Sequence, residues 1–167
     1  SSAPWQTAAG GYIAQELVIN DSDVFRSLVL GWLQCRGVKE LFLRVRREWK
    51  KFTGNQGLSL EQILRKDMDV YFSDKFIQGC PETITEYIEI CLRYYQPLDA
   101  FGRQFAACLK HDTVDRLNRG TLLILPLSGD DDPLVPPENS RVLKELVPNA
   151  ELIFFLGKRH CFFYWRC

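Results

Sequence analysis

The sequence predicts an α/β fold with an all-helical insertion, and three observations carry that prediction. Short apolar runs bounded by polar residues occur at 27–32 (SLVLGW), 121–127 (TLLILPL) and 150–156 (AELIFFL). Runs of this length fit buried parallel strands. Helix-period segments flank them at 8–20 and 137–146, while the stretch between, 38–117, carries only helical patterning.

The elements follow in order. Residues 8–20 place Ile13, Leu17 and Val18 at helical spacing. The 27–32 run is the first strand. In the insertion, Leu41, Leu43, Val45, Trp49 and Phe52 form the apolar side of a helix rich in Arg and Lys. Gly54 and Gly57 punctuate the chain, and Ser59 is placed to cap the helix of LEQILRK. Further helices are expected at 67–76, 81–95 and 97–110, with Pro81 and Pro97 in first turns, where a missing N–H costs nothing. The 121–127 strand contains Pro126, which favours a strand end or a bulge. Residues 137–146 align Val142, Leu143 and Leu146 on one helix face. The chain thus divides into an α/β piece (1–37), a helical insertion or cap (38–117) and a second α/β piece (118–167).

Composition narrows the function. Hydrophobic residues make up 46% of the chain, enough for a packed core. Lys plus Arg and Asp plus Glu both number 21, so nothing in the charge favours nucleic acid or an anionic membrane as partner. The basic run at 44–51 fits the solvated side of its helix. No apolar run reaches the ~18 residues of a membrane span, and no basic stretch followed by an apolar one opens the sequence. The six cysteines, Cys35, Cys80, Cys91, Cys108, Cys161 and Cys167, form no CxxC pair. That argues against zinc and predicts free, mostly buried thiols in a cytoplasmic protein. His111, with Asp112 and Asp115, reads as a solvated helix boundary rather than a metal site, and Cys161 as a packed thiol. Most aromatics of the insertion, among them Tyr71, Phe72, Phe76 and Tyr87, read as core.

Chemistry concentrates near the C-terminus. Asp130, Asp131 and Asp132 follow the second strand, and His160 follows the third. Neighbouring parallel strands lie about 4.8 Å apart, and their following loops emerge on one sheet edge, where ligands bind in open α/β sheets. A carboxylate there can reach an imidazole, fix its tautomer and support its protonated form. Taken alone, Asp132 also fits a simple turn or helix cap.

The stretch GDDDPLVPPEN…ELVPNAEL…GKRHCFF resembles the C-terminal part of an α/β-hydrolase, most closely the esterase, enol-lactone hydrolase and haloperoxidase-like branch. The Gly-x-x-Asp pattern maps onto Gly129 and Asp132, and Gly-x-x-His onto Gly157 and His160. The resemblance implies that Asp132 is the acid orienting His160, the general base, with Asp130 and Asp131 as turn residues. CFFYWRC departs from the helical continuation usual after the histidine.

AAGGYIAQELVINDSDVFRSLVLG likewise resembles the segment that follows the nucleophile elbow, with Gly10 and Gly11 matching its glycines. In that register the nucleophilic serine position is occupied by Ala8, the first glycine of the motif by Gln6, and the N–H of Ala9 is one oxyanion donor. Few residues precede the elbow, where the family places five strands. A partial α/β-hydrolase sheet with a bare strand edge is therefore expected, open to a second chain or a copy of itself. A truncated natural relative, a fragment missing its partner and an imperfectly read sequence all fit this pattern. The implied activity is hydrolysis of a small apolar ester or lactone by a Ser-His-Asp mechanism lacking its serine here. A non-catalytic binding module and one piece of a larger hydrolase are the alternatives. No metal or organic cofactor is implied.

Overall fold

The computed structural model describes residues 6–21, 25, 27–31, 55–113, 115–117 and 123–164. Within them the chain runs α1 (Gln6–Asn20), β1 (Ser27–Gly31), α2 (Leu60–Lys66), α3 (Met68–Tyr71), α4 (Asp74–Gly79), α5 (Pro81–Arg93), α6 (Leu98–Lys110), β2 (Leu123–Gly129), α7 (Pro137–Leu146) and β3 (Ile153–Phe155). The helix expected over 41–52 lies outside the described residues. Among those described, no helix is long and apolar enough to cross a membrane.

The three strands form one parallel sheet in the order β1-β2-β3. Pro126 departs from expectation, because it sits inside the central strand, opposite Leu30 of β1. The hydrogen-bond pattern explains how it is tolerated. The Ile124 carbonyl faces β3, where it accepts from the Glu151 N–H. Alternation therefore turns the backbone N of residue 126 toward β3 as well. There the pairing lapses between the Ile124–Ala150 bridge and the Leu127–Ile153 pair, without any change of register. The lost donor falls in that gap.

One face of the sheet is packed. Val18 of α1, Leu30, Leu117, Ile124, Ala150, and Leu143 and Val147 from α7 and its end form a buried cluster. The opposite face carries Val29, Leu123 and Ile153, which are 60%, 46% and 45% exposed. The first strand is therefore half-covered rather than buried, although parallel sheets are ordinarily covered on both faces.

The helices between β1 and β2 build a second cluster from Leu64, Met68, Val70, Tyr71, Phe72, Phe76, Ile84, Tyr87 and Ile88, joined by Leu134 and Cys161. Ser59 caps α2 with a full capping box, its side chain accepting from the Gln62 N–H while the Gln62 side chain accepts from the Ser59 N–H. Where one helix was expected over 67–76, the chain breaks at Phe72 and restarts with Ser73 as the cap of α4. Pro81 opens α5 in its first turn, whereas Pro97 stands one place earlier, at the cap of α6. Cys80 is disulfide-bonded, contrary to the expectation of free thiols. Cys91, Cys108 and Cys161 are free.

Candidate functional site

The site lies where β2 and β3 end. β2 closes with Ser128 and Gly129, and residues 130–132 turn away from the sheet. Asp132 sets that turn. Its Oδ1 accepts from the backbone N–H groups of Leu134 (2.8 Å) and Val135 (3.0 Å), the habit of an aspartate closing its own loop. Pro136 and Pro137 then start α7. Beyond β3, Gly157 at φ +66° reverses the chain in a conformation that favours glycine, and brings His160 back over the sheet edge.

Asp132 Oδ2 and His160 Nδ1 meet at 2.9 Å, with the two residues only 4% and 3% exposed. An ionised carboxylate can only accept, so Nδ1 carries the proton and Nε2 is the basic nitrogen. Asp132 thus makes two sets of contacts: one oxygen accepts from the turn, and the other meets the imidazole.

The neighbouring aspartates do more than turn the chain. Asp130 Oδ1 accepts from the Gly157 N–H at 2.7 Å, and Asp131 Oδ2 from Arg159 Nε at 3.1 Å. The backbone N–H of Asp131 also donates to the Lys158 carbonyl at 3.1 Å. Three consecutive aspartates therefore hold three positions of one loop, at residues 157, 159 and 160. The sequence signal was the triplet itself, and Arg159 was not recognised from it. Gly129 belongs to the same fit, since its backbone packs against the carbonyls of Lys158 and Arg159.

Around the imidazole the packing is aromatic. The Tyr71 ring meets His160 edge-on, with centroids 6.1 Å apart. The Tyr71 hydroxyl is buried, has no hydrogen-bond partner among the described residues, and is pushed well up in pKa by desolvation. Cys161 Sγ lies 3.9 Å from the Tyr87 hydroxyl, and burial raises that thiol to about 12, which suits packing rather than nucleophilic use. After His160 the described residues form turns with no helix, and Phe162 stacks on Phe155 at 4.9 Å.

Ala8 and Ala9 lie in the first turn of α1, before Gly10 and Gly11, with their side chains outside the described set. His111 is not at a solvated boundary. Its side chain is 7% exposed, its ring lies 4.4 Å from that of Tyr12, and its Nε2 is 3.4 Å from Gln15 Oε1. No group of three or more His, Cys, Asp or Glu that could hold a metal occurs among the described residues.

No family model matches the sequence, and no curated protein does. Solved structures do match. An α/β-hydrolase enzyme from a Medee basin deep-sea metagenome library superimposes with a TM-score of 0.73 at 19% identity, over 93% of this chain and 57% of that one. A thermophilic esterase from Thermogutta terrifontis gives 0.66 at 18% identity, over 92% and 56%. An esterase from Exiguobacterium antarcticum gives 0.68 at 16%, over 94% and 59%. The chain spans less than two thirds of the length of these structures. With its parallel sheet and helical insertion, it has the fold of part of an α/β-hydrolase.

Proposed function

We propose that this chain carries the acid and the histidine of an acyl hydrolase acting on a small apolar ester or lactone. In this reading Asp132 holds the Nδ1–H of His160, leaving Nε2 to take a proton from an attacking hydroxyl and pass it to the leaving alcohol. Segment 38–117 serves as a cap whose aromatic core borders the imidazole. The N–H of Ala9 serves as one oxyanion donor. The observation that carries the reading is the 2.9 Å contact between two buried residues at the ends of adjacent parallel strands.

A second reading rests on position 8, where alanine supplies no nucleophile. The same fold then acts as a binding module, or as one piece of a hydrolase completed by another polypeptide. The half-exposed sheet face bearing Val29, Leu123 and Ile153 supports such a partner, which could equally be a second copy.

An Ala8→Ser variant separates the two readings. A latent hydrolase site predicts covalent labelling of Ser at position 8 by a fluorophosphonate probe, abolished in an Ala8→Ser, His160→Ala double variant. An Ala8→Ser protein that stays unlabelled, or that labels equally well without His160, removes the catalytic reading.

A further inference from the structure

His160 sits on a loop gripped from two sides, and one residue spans both. On the sheet side, Arg159 Nε donates to Asp131 Oδ2 at 3.1 Å. On the helical side, its Nη1 donates to the Asp69 carbonyl at 2.5 Å, the Phe72 carbonyl at 3.3 Å and Asp74 Oδ1 at 3.2 Å. Those carbonyls lie where α3 ends and α4 has not begun, so the helix break leaves acceptors that the guanidinium satisfies. The next residues reinforce the bridge. The Cys161 N–H donates to the Tyr71 carbonyl at 2.8 Å, and Lys158 Nζ stands 5.1 Å from the centre of the Phe76 ring. Positions 158, 159 and 161 thus all reach segment 69–76, and His160 between them rests edge-on against Tyr71 while its Nδ1 turns to Asp132.

A planar fork with donors on several edges suits this task, and a lysine ammonium does not. The Arg159 side chain is 20% exposed, and its two carboxylate partners are mostly in solvent, at 65% and 71%. The carboxylate contacts alone are therefore weak. The carbonyl contacts are what fix the guanidinium.

We propose that Arg159 is a positioning residue: it locks the helical segment 69–74 to the Asp131 turn and so holds the His160 imidazole on Asp132. The proposal rests on the dyad reading above and adds to it the residue through which the insertion sets the geometry of the dyad.

Imidazole NMR on the full chain tests it. The Nδ1–H resonance of His160 is assigned by its absence from His160→Gln, and its exchange with solvent is measured. Loss of charge-assisted hydrogen bonds on one side of the loop should speed that exchange about tenfold or more in Arg159→Met. Near-UV circular dichroism should show the variant still folded, a result that a merely structural role would pair with unchanged exchange. If Arg159→Met does not fold, Arg159→Lys carries the test. It keeps a cation at the carbonyls but cannot also hold Asp131, and its exchange should rise by a smaller factor. Exchange at the wild-type rate in a folded variant overturns the proposal and leaves the dyad standing. Absence of a protected Nδ1–H in the wild type overturns the dyad and the proposal together.

Discussion

Gly129 and Arg159 approach so closely that a β-carbon at position 129 would stand 2.5 Å from the Arg159 carbonyl oxygen. The obstacle is backbone, so no side-chain rotation relieves it. The loop carrying His160 must move or the strand end must yield. Gly129→Ala should therefore destabilise the protein by about 1–3 kcal/mol, the range for forced overpacking. It should also speed exchange of the His160 Nδ1–H. Urea unfolding and imidazole NMR measure the two effects. A variant with wild-type stability would mean that the turns do not meet this closely.

Asp132 separates its two duties under substitution. Asp132→Ala strips partners from the Leu134 and Val135 N–H groups and from His160, all buried. The loss should reach about 3 kcal/mol or more, since each buried donor that loses its acceptor costs about 1–3 kcal/mol. Asp132→Asn should cost less, because its oxygen can still accept both backbone N–H groups. Its amide NH2 then faces His160 Nδ1, which must become an acceptor, so the proton moves to Nε2. Imidazole 15N shifts should show the tautomer reversed while urea unfolding shows most of the stability retained.

The legible part of this protein was what periodicity and short patterns encode. Helices at 81–93 and 137–146, the Ser59 cap and the three strands follow from residue spacing. Asp132 and His160 could be paired because parallel strands deliver their loops to one edge. The break at Phe72 could not be read. Residues 67–76 have helical composition, and what ends α3 is tertiary: Arg159 and Cys161, far along the chain, take up the carbonyls of Asp69, Tyr71 and Phe72. The place of Pro126 was hidden for a similar reason, since its tolerance depends on a gap in the pairing with β3. Sequence spacing also misplaced His111, because its burial is set by Tyr12 and Gln15 of α1 rather than by its neighbours in the chain.

His111 should leave a mark on stability at mildly acidic pH. The groups facing it are Gln15, Thr113, the Tyr12 ring, and Glu16, itself bound by Arg116 through two hydrogen bonds. Burial lowers its pKa from 6.5, against the pull of Glu16. The unfolded imidazole therefore protonates first as pH falls. Stability should be fully present above pH 6.5 and decline as pH drops from there toward the folded pKa. Glu16 is lowered from 4.5 by its hydrogen bond with Arg116, so its contribution fades only at more acidic pH. His111→Gln should flatten the slope in urea titrations just below pH 6.5, and an unchanged slope would assign it to another group.

Cys161 gives the corresponding test at alkaline pH. Burial raises its thiol from 9.0 to about 12, a far larger displacement than the Tyr87 hydroxyl offsets. In the unfolded chain it ionises near 9, so between pH 9 and 12 the native state keeps a proton that the unfolded state has lost. By linkage the stability contribution is complete below 9 and is lost as pH rises through that window. The same burial withholds the thiolate from reagents. At pH 8, iodoacetamide should modify the half-buried Cys91 and Cys108 in the folded protein well before Cys161. Added urea should bring Cys161 labelling up in step with unfolding. Peptide mapping by mass spectrometry resolves the three sites. Labelling of Cys161 in the folded protein as fast as Cys91 would mean that the loop after His160 opens freely, against the hydrogen bond from the Cys161 N–H to Tyr71.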